Sequence, residues 1–239
     1  MVMAGGAVAT ACREIAKRAA RIGGRLLQTD PAQIHVHDGK AVGPQGSVSL
    51  AEIARAWYLR PQDLPEDVDP GGLEATIGYK PMRDTGTFSY ATHAALVAVD
   101  PEIGDVEILD YAIVEDGGKL VNPMIADGQI YGGFAQGVGT ALYEEMPFDR
   151  LGQPLASTLS DYLLPGPTEV PAPTLDHMET LAPYTEFGVK GIGEGGAIAP
   201  PAAIANAVND ALRPLGAELL VSPITPLRIL QAIAERGRS

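Results

Sequence analysis

The sequence is poor in cysteine and in aromatic residues, and it has no hydrophobic run long enough to cross a membrane. Among its 239 residues there is one cysteine, Cys12, and aromatic residues make up 5%. One cysteine cannot form an intrachain disulfide, so a disulfide-stabilised secreted scaffold is excluded. No apolar segment reaches the roughly 20 residues that a transmembrane helix needs. In the opening segment MVMAGGAVATACREIAKR the basic residues follow the apolar part, which is the wrong order for a signal peptide, and a cytoplasmic location is predicted.

Positive charge is also scarce. The chain has 17 Lys and Arg against 30 Asp and Glu, which gives a formal net charge of −13. A negative field of this size argues against nucleic acid and against an anionic membrane surface as partners. Hydrophobic residues make up 46% and charged residues 20%, which is the composition of a globular protein. The length suits one large or two modest domains, and no linker in the sequence is distinct enough to divide the chain.

The N-terminal third is predicted to contain two helices and a pair of short strands. Apolar residues recur every three or four positions from Gly6 to Gln28, which predicts an amphipathic helix with Cys12 buried on its apolar side. The segment IHVHDGKAV predicts two strands joined at Asp38-Gly39, and its two histidines are interpreted as an exposed strand face rather than as metal ligands. Ser49 and Glu52 have the spacing of a capping box and predict the start of a second helix.

The rest of the chain is predicted to combine strands with helices. The alternating run FSYATHAALVAVDPEIGDVEILDYAIVED predicts a long hairpin turning at 101–104, with His93 as a hydrogen-bonded core or interface residue. LDHMET and ELLVSP predict further strands, and DYLLP predicts a short strand or sheet edge. His177, within LDHMET, shows no pattern that indicates a partner. PAAIANAVNDAL and TPLRILQAIAERG predict two C-terminal helices, the second capped by Thr225.

The segment VNPMIADGQIYGGFAQGVGTALYEE has the apolar spacing of a helix but is rich in glycine. Its interior glycines are Gly128, Gly132, Gly133, Gly137 and Gly139. Each costs about 0.5–1 kcal/mol relative to alanine, so the close approach of another backbone or of a flat ligand must compensate for them. Gln129 and Gln136 are seven residues apart and therefore share one helix face, where both amides could contact a ligand. Helix packing through small residues is the alternative interpretation.

A second glycine-rich segment, GVKGIGEGGAIAPP, holds one acid, Glu194, and one base, Lys190, among glycine, alanine and isoleucine. Glycines leave the main chain accessible to a ligand. A carboxylate in apolar surroundings is more easily protonated, which suits a general base. A solvated surface turn is the alternative. A phosphate-binding loop is disfavoured, because no Ser or Thr follows Lys190 to hold magnesium.

Three blocks in this order, NPMIADGQIYGGFAQGVGTALYEE, DYLLP and GVKGIGEGGAIAPPAAIANAVNDAL, resemble the C-terminal part of the large subunit of the molybdenum hydroxylases. This family includes xanthine dehydrogenase, aldehyde oxidase and the aerobic carbon monoxide dehydrogenases. The hairpin and the run VEDGGKLVNP fit the family pattern too, so the resemblance covers nearly all of residues 1–239. It implies an α+β fold of antiparallel hairpins with packed helices, the C-terminal molybdopterin-binding domain of the family, with the upstream half of the subunit absent from this chain.

The resemblance also implies roles for individual residues. Glu194 falls on the glutamate that acts as a base beside molybdenum, and Gln129 falls on an amide that contacts the pterin, with Gln136 as a further candidate. The other cofactor-contacting positions would lie in the glycine loop and near the N-terminus: Lys190, Gly191, Ile192, Gly193, Ala4 and Gly5. Since the pterin sulfurs hold the metal in this family, no metal ligand is expected from the protein.

The resemblance further implies a multi-subunit oxidoreductase. Its cofactors would be molybdopterin, as the cytosine dinucleotide, carrying molybdenum, with 2Fe-2S and FAD groups on partner subunits. Its partners would be the remaining part of the large subunit, an iron-sulfur subunit, an FAD subunit and a small-molecule substrate. The expected reaction oxidises an aldehyde or N-heteroaromatic C–H with water as the oxygen source and Glu194 as base. A non-catalytic assembly module of the same fold, lacking the cofactor, is the alternative.

Overall fold

A computed structural model describes residues 1–68, 72–83 and 86–236. By the density of its internal contacts the chain divides into two compact units, Met1–Asp84 and Thr85–Ser239. Each unit has its own hydrophobic core and its own three-stranded sheet. Helices combined with small sheets confirm the predicted α+β class. Among the residues just given, no helix has the length and apolar character needed to cross a membrane.

The first unit packs two helices on a small antiparallel sheet. Helix α1 spans Val2–Leu26 and helix α2 spans Leu50–Leu59. The sheet has the order β1-β2-β3, with strands His35–His37, Lys40–Gly43 and Gly46–Ser49. Most of the core side chains come from both helices and the sheet, and two come from the adjoining loops, Ile34 and Val68. The others are Ala19, Ile22, Ala41, Val48, Ile53, Ala56 and Trp57. Both predicted helices and the first two strands are confirmed, whereas β3 was not predicted, because GSVS carries little of the β-branched signal typical of strands.

Of two local predictions for the first unit, the capping box is confirmed and the burial of Cys12 is wrong. The capping box is present, since Ser49 Oγ accepts from the backbone N of Glu52 at 3.1 Å and Glu52 Oε2 accepts from the backbone N of Ser49 at 3.1 Å. The predicted burial of Cys12 is wrong, because its side chain is exposed. Burial of the apolar side chains of α1 is concentrated near its C-terminal end, at Ala19 and Ile22.

The second unit is built on the long hairpin. Strands β4, Tyr90–Val99, and β5, Val106–Asp116, pair antiparallel, which confirms the predicted hairpin. Strand β6, Thr174–Met178, pairs parallel with the other edge of β5. The helices of this unit are α3 (Pro123–Leu142), α4 (Gly195–Ile198), α5 (Pro200–Leu212) and α6 (Pro226–Arg236). Short 3₁₀ turns occur in both units, at Pro31–Gln33, Pro61–Asp63, Glu186–Gly188 and Arg213–Leu215.

The core of the second unit lies between the sheet and its helices. The rings of Tyr111 on β5 and Phe134 on α3 pack with their centroids 4.3 Å apart. Further buried side chains come from the helices that follow, among them Ile204, Val208 and Ile229. This packing fixes α3 and α5 against the hairpin, and with them the segment that connects β6 to α5.

Two of the predicted strands in this unit are wrong. DYLLP forms a turn, in which the backbone N of Tyr162 bonds back to the carbonyl O of Thr158 at 2.9 Å. ELLVSP is not in a sheet, because the side chain of Asn209 bonds both the N–H and the carbonyl of Leu219, at 2.8 and 2.9 Å. A side-chain amide therefore satisfies the backbone groups that a neighbouring strand would have bonded.

Candidate functional site

The glycine-rich segment at 188–199 is a loop fastened to the hairpin at its first half. The backbone N of Lys190 donates to the carbonyl of Gly117 at 3.0 Å, just beyond the end of β5. The backbone N of Gly191 donates to Thr87 Oγ1 at 3.1 Å, and its carbonyl accepts from Ser89 Oγ. The loop is thus held by the residues just before β4 and just after β5, which fix its main chain at Lys190 and Gly191.

A buried ion pair anchors the same loop. Nζ of Lys190 lies 2.9 Å from Oδ1 of Asp116, and the two side chains are 6% and 1% exposed. Burial by itself raises the pKa of Asp116, but hydrogen bonds from Thr180, Lys190, Gly118 and Tyr90 together hold that pKa well below its usual range. The ammonium also lies 4.8 Å from the centroid of the Tyr90 ring. Because the side chain of Lys190 is held in this pair, any cofactor contact at this position falls to its main chain.

Glu194 lies directly before α4, at a cavity of about 440 Å³. The residues around this cavity include Glu194 itself, Gly191, Gly193, Ser89, Tyr90 and Glu115. The structure therefore brings together three of the residues predicted for the site. The carboxylate is exposed, however, so the predicted apolar surroundings are wrong for this chain. The glycines on either side of it have no side chains to cover it, and Ile198 is itself 77% exposed.

The main chain around Glu194 is bare. A Cβ placed on Gly191 or on Gly193 would meet no atom within 4 Å. Such backbone can be approached closely by a flat ligand, as glycine-rich binding loops are. Between the two, the side chain of Ile192 turns against Gly117, where any Cβ would overlap it. The loop therefore exposes the glycine backbone at Gly191 and Gly193 towards open space, while the side chain of Ile192 between them stays packed.

Part of the glycine content of α3 serves to pack it against this loop. A Cβ on Gly133 would lie 2.8 Å from the backbone N of Ala197, and a Cβ on Gly137 would lie 2.7 Å from Pro200. From the opposite side, a Cβ on Gly196 would lie 2.5 Å from the carbonyl O of Ile130. The prediction that another backbone approaches these glycines closely is confirmed. Side chains larger than hydrogen at these positions would push the loop away from α3.

Other glycines of α3 lie on an open face. A Cβ on Gly128 or Gly132 would meet nothing within 4 Å, and both residues are exposed. Gln129 and Gln136, which were predicted to share a ligand-facing side, are exposed as well. Neither lines the cavity of Glu194. This exposed face is a second area of small residues and amides, separate from the cavity lining.

The two N-terminal candidates belong to the other unit. Ala4 and Gly5 lie in the first turns of α1, and Ala4 is exposed.

In the part of the chain that the structure describes, no group of three or more His, Cys, Asp or Glu side chains could hold a metal ion.

Comparison with known proteins identifies the family. Residues 1–171 match the family described as molybdopterin cofactor-binding domain. The chain belongs to this family, that of the molybdenum hydroxylase large subunits. It is 38% identical over 97% of its length to the nicotine 6-hydroxylase large subunit of Paenarthrobacter nicotinovorans. It is 32% identical over 98% of its length to the carbon monoxide dehydrogenase large chain of Hydrogenophaga pseudoflava.

A solved structure gives the same result. The crystal structure of quinoline 2-oxidoreductase from Pseudomonas putida 86 superposes with a TM-score of 0.85 at 37% identity, over 93% of this chain and 28% of that one. The chain likewise spans 28% of the nicotine 6-hydroxylase large subunit and 29% of the carbon monoxide dehydrogenase large chain. The resemblance inferred from the three sequence blocks is confirmed.

The molybdopterin-binding domain also contains polar residues that the sequence analysis missed. Glu115, which lines the cavity, is only 1% exposed, and burial raises the pKa of its carboxyl, with Asp116 adding to the effect and His177 opposing it. His177 has a partner after all, because its Nε2 lies 2.6 Å from Oδ1 of Asp127 on α3. Glu115 could have been found from strand parity, since it shares the inward side of β5 with Tyr111 and is an acid at a core position.

The interpretation of His93 is confirmed. Its Nδ1 lies 3.1 Å from the hydroxyl of Tyr111, with the two rings edge to face at a centroid distance of 5.7 Å. Burial lowers the pKa of His93 and raises that of Tyr111, so both side chains are neutral hydrogen-bonding groups of the sheet.

Proposed function

We propose that residues 1–239 are the C-terminal portion of the large subunit of a molybdenum hydroxylase, and that Glu194 is its general base. One observation supports this most directly. In a chain of the molybdopterin-binding family, the exposed carboxylate of Glu194 stands between bare glycines at a cavity of about 440 Å³. The open main chain at Gly191 and Gly193 fits a flat, anionic cofactor, because no side chain prevents its approach.

In this proposal the cofactor is held by backbone and by amides rather than by metal ligands. The main chain from Lys190 to Gly193 lies against it, Gln129 contacts the pterin, and Gln136, Ala4 and Gly5 are further contacts. The group itself, molybdopterin in the cytosine dinucleotide form carrying molybdenum, supplies the two-electron oxidation when bound. The Asp116–Lys190 pair, at 2.9 Å, keeps the loop in place while the cofactor binds.

The role of Glu194 is to hold a proton. Its carboxylate accepts the proton of the water molecule whose oxygen enters the product. The exposure of the side chain in this chain leaves it free to meet a cofactor and a substrate from the cavity side. A positioned general base contributes typically about 10²–10⁴-fold to a rate. The backbone N of Ala197 donates to the carbonyl O of Glu194 at 3.0 Å, and this bond helps to fix the main chain that carries the Glu194 side chain.

The proposed substrate is an aldehyde or an N-heteroaromatic compound, and we favour the heteroaromatic ring. Two of the similar proteins are, by name, a nicotine 6-hydroxylase and a quinoline 2-oxidoreductase. The proposed partners are the remaining part of the large subunit, an iron-sulfur subunit with 2Fe-2S groups and a subunit with FAD. In support, the nicotine and carbon monoxide enzymes are named for large subunits or chains of assemblies.

The substitution Glu194→Gln tests the proposal in the complete enzyme. It keeps the size of the side chain but removes the basic oxygen, so we expect quinoline turnover to fall by about 10²–10⁴-fold while the molybdenum content stays unchanged. Glu107→Gln, an exposed glutamate on β5, is the matched control and should keep full turnover. A Glu194→Gln enzyme with more than a tenth of the wild-type turnover would exclude Glu194 as the base. Absence of molybdenum from the purified wild-type complex would instead favour the cofactor-free assembly module.

A further inference from the structure

Three buried side-chain atoms in the described ranges lack a hydrogen-bond partner, and all belong to one sheet. They are Nε2 of His93 on β4, Oε2 of Glu115 on β5 and Nδ1 of His177 on β6. Buried polar atoms are nearly always paired, so unpaired ones concentrated in one place require an explanation. The carboxyl of Glu115 lies at the cavity that Glu194 also lines, and its Oε1 lies where a Cβ on Gly195 would be.

Glu115 is one member of a row of ionisable groups that leads away from the cavity. In the β5–β6 register it lies directly opposite His177, and side chains opposite each other in a pair of strands lie on the same face of the sheet, on strands about 4.8 Å apart. Nε2 of His177 lies 2.6 Å from Oδ1 of Asp127. Exposure rises along the row, from 1% for Glu115 to 21% for the side chain of His177 and 42% for that of Asp127.

The two unpartnered atoms of Glu115 and His177 are chemically complementary. Nε2 of His177 lies 2.6 Å from a carboxylate oxygen and donates to it, and Nδ1 is the ring atom left without a partner. Burial raises the pKa of Glu115, an effect that Asp116 increases and His177 opposes, and burial therefore favours the protonated form of this carboxyl, which can donate. The two atoms do not bond each other directly, so a proton would cross between them through one buried water or after a rotation of the Glu115 side chain.

We propose that Glu115, His177 and Asp127 form a proton exit path from the cavity of Glu194 to the surface. The path rests on the proposed function, since it carries the protons that Glu194 removes. Glu115 gives its Oε2 proton to Nδ1 of His177, and the resulting imidazolium gives its Nε2 proton to Asp127, which releases it to solvent. The Glu115 carboxylate then accepts the next proton from Glu194, and a flip of the imidazole ring restores the starting tautomer.

The other ionisable groups around Glu115 in the described part of the chain each make a contact elsewhere. Asp116, its neighbour on the opposite side of β5, is held as a fixed charge by Lys190. His93 on β4 bonds the hydroxyl of Tyr111, and burial lowers the pKa of His93 and raises that of Tyr111. Tyr90 lines the cavity, and its hydroxyl lies 3.0 Å from Oγ1 of Thr180.

Variants of the path in the complete enzyme, with quinoline as the substrate, test the proposal. Glu115→Gln keeps the shape of the side chain but cannot pass on a proton, and we expect turnover to fall roughly tenfold, less than for loss of the base itself. KM for quinoline should not change. His177→Ala leaves space for an imidazole molecule, so added imidazole should restore part of its turnover. Glu107→Gln, on the exposed side of the same strand, should behave as wild type.

A measurement other than turnover decides whether the carboxyl of Glu115 is protonated. Infrared difference spectra of the wild-type enzyme minus Glu115→Gln should show the C=O stretch of a protonated carboxylic acid at neutral pH. Absence of that band, full turnover of Glu115→Gln, or a His177→Ala enzyme that imidazole does not restore would each overturn the path. Glu194→Gln separates the two proposals: if it keeps turnover the proposed function fails, whereas loss that imidazole does not restore leaves the function standing whatever the path variants show.

Discussion

Replacing Lys190 by methionine tests whether the buried ion pair holds the loop of Glu194. Methionine keeps an unbranched apolar side chain, so the change removes mainly the ammonium group. Nζ lies 2.9 Å from Oδ1 of Asp116, with both side chains almost fully buried. Removing one partner of a buried pair typically costs about 3–5 kcal/mol, because the remaining charge is left without compensation. Gly118 and Thr180 still donate to the carboxylate, at 2.9 and 3.0 Å, so we expect about 3 kcal/mol.

Urea denaturation followed by circular dichroism measures this loss as a change in the free energy of unfolding. For a chain of this size, about 3 kcal/mol lowers Tm by roughly 6–12 °C. The double variant Lys190→Met with Asp116→Asn removes both charges and should recover part of the stability. A single variant that costs less than about 1 kcal/mol, or a double variant no more stable than the single one, would refute the reasoning.

The same pair makes a prediction about pH. The folded-state pKa of Asp116 lies below its usual value, so the folded state binds this proton less readily than the unfolded chain does. The stability it contributes is therefore complete above the unfolded pKa of about 3.9 and is lost as pH falls below that value towards the folded pKa. Unfolding curves of the wild type should shift to lower urea below about pH 4, and the advantage over Lys190→Met should shrink there.

Three further changes probe the packing of the loop, the bare backbone and the first unit. Gly196→Ala should destabilise by about 1–3 kcal/mol, because its Cβ would lie 2.5 Å from the carbonyl O of Ile130. Gly128→Ala should stabilise by roughly 0.5–1 kcal/mol, because its Cβ meets no atom and alanine favours a helix. Thermal unfolding of the two variants checks both predictions. Gly193→Ala should leave Tm within about 2 °C but lower the molybdenum content of the complex, as measured by elemental analysis. Ser49→Ala should cost about 1 kcal/mol in urea denaturation, since it removes the cap of α2.

Local signals in the sequence predicted most of the elements. Ser49 and Glu52 identified the start of α2, and the alternation from Tyr90 to Asp116 identified the hairpin, because both patterns depend on residues close in the chain. The exposed glycine loop with Glu194 was also recognisable, since so few of its residues are polar. In this loop the candidate functional residue lies within the segment that the sequence pattern identifies, and the structure adds the cavity and the anchoring contacts.

The predictions that were wrong or missing depend instead on contacts between distant parts of the chain. Leu219 lacks a strand partner because Asn209, ten residues earlier, bonds its backbone. Cys12 lies on an apolar stripe that is left uncovered towards the start of α1. His177 finds its carboxylate fifty residues away, on α3. Each outcome depends on which surface is brought against the segment, and periodicity within the segment carries no information about that.

The two adjacent acids at the end of β5 show how the fold gives one residue type two chemistries. Successive side chains of a strand point to opposite faces, so Glu115 faces the cavity and His177 whereas Asp116 meets Lys190. Both are 1% exposed, so burial by itself raises the pKa of each. What separates them is the donors: Asp116 accepts from Gly118, Thr180 and Lys190, while Oε2 of Glu115 accepts from none. The charge of Asp116 can therefore hold the loop in place, and Glu115, whose protonated form burial favours, is left as the group able to carry a proton.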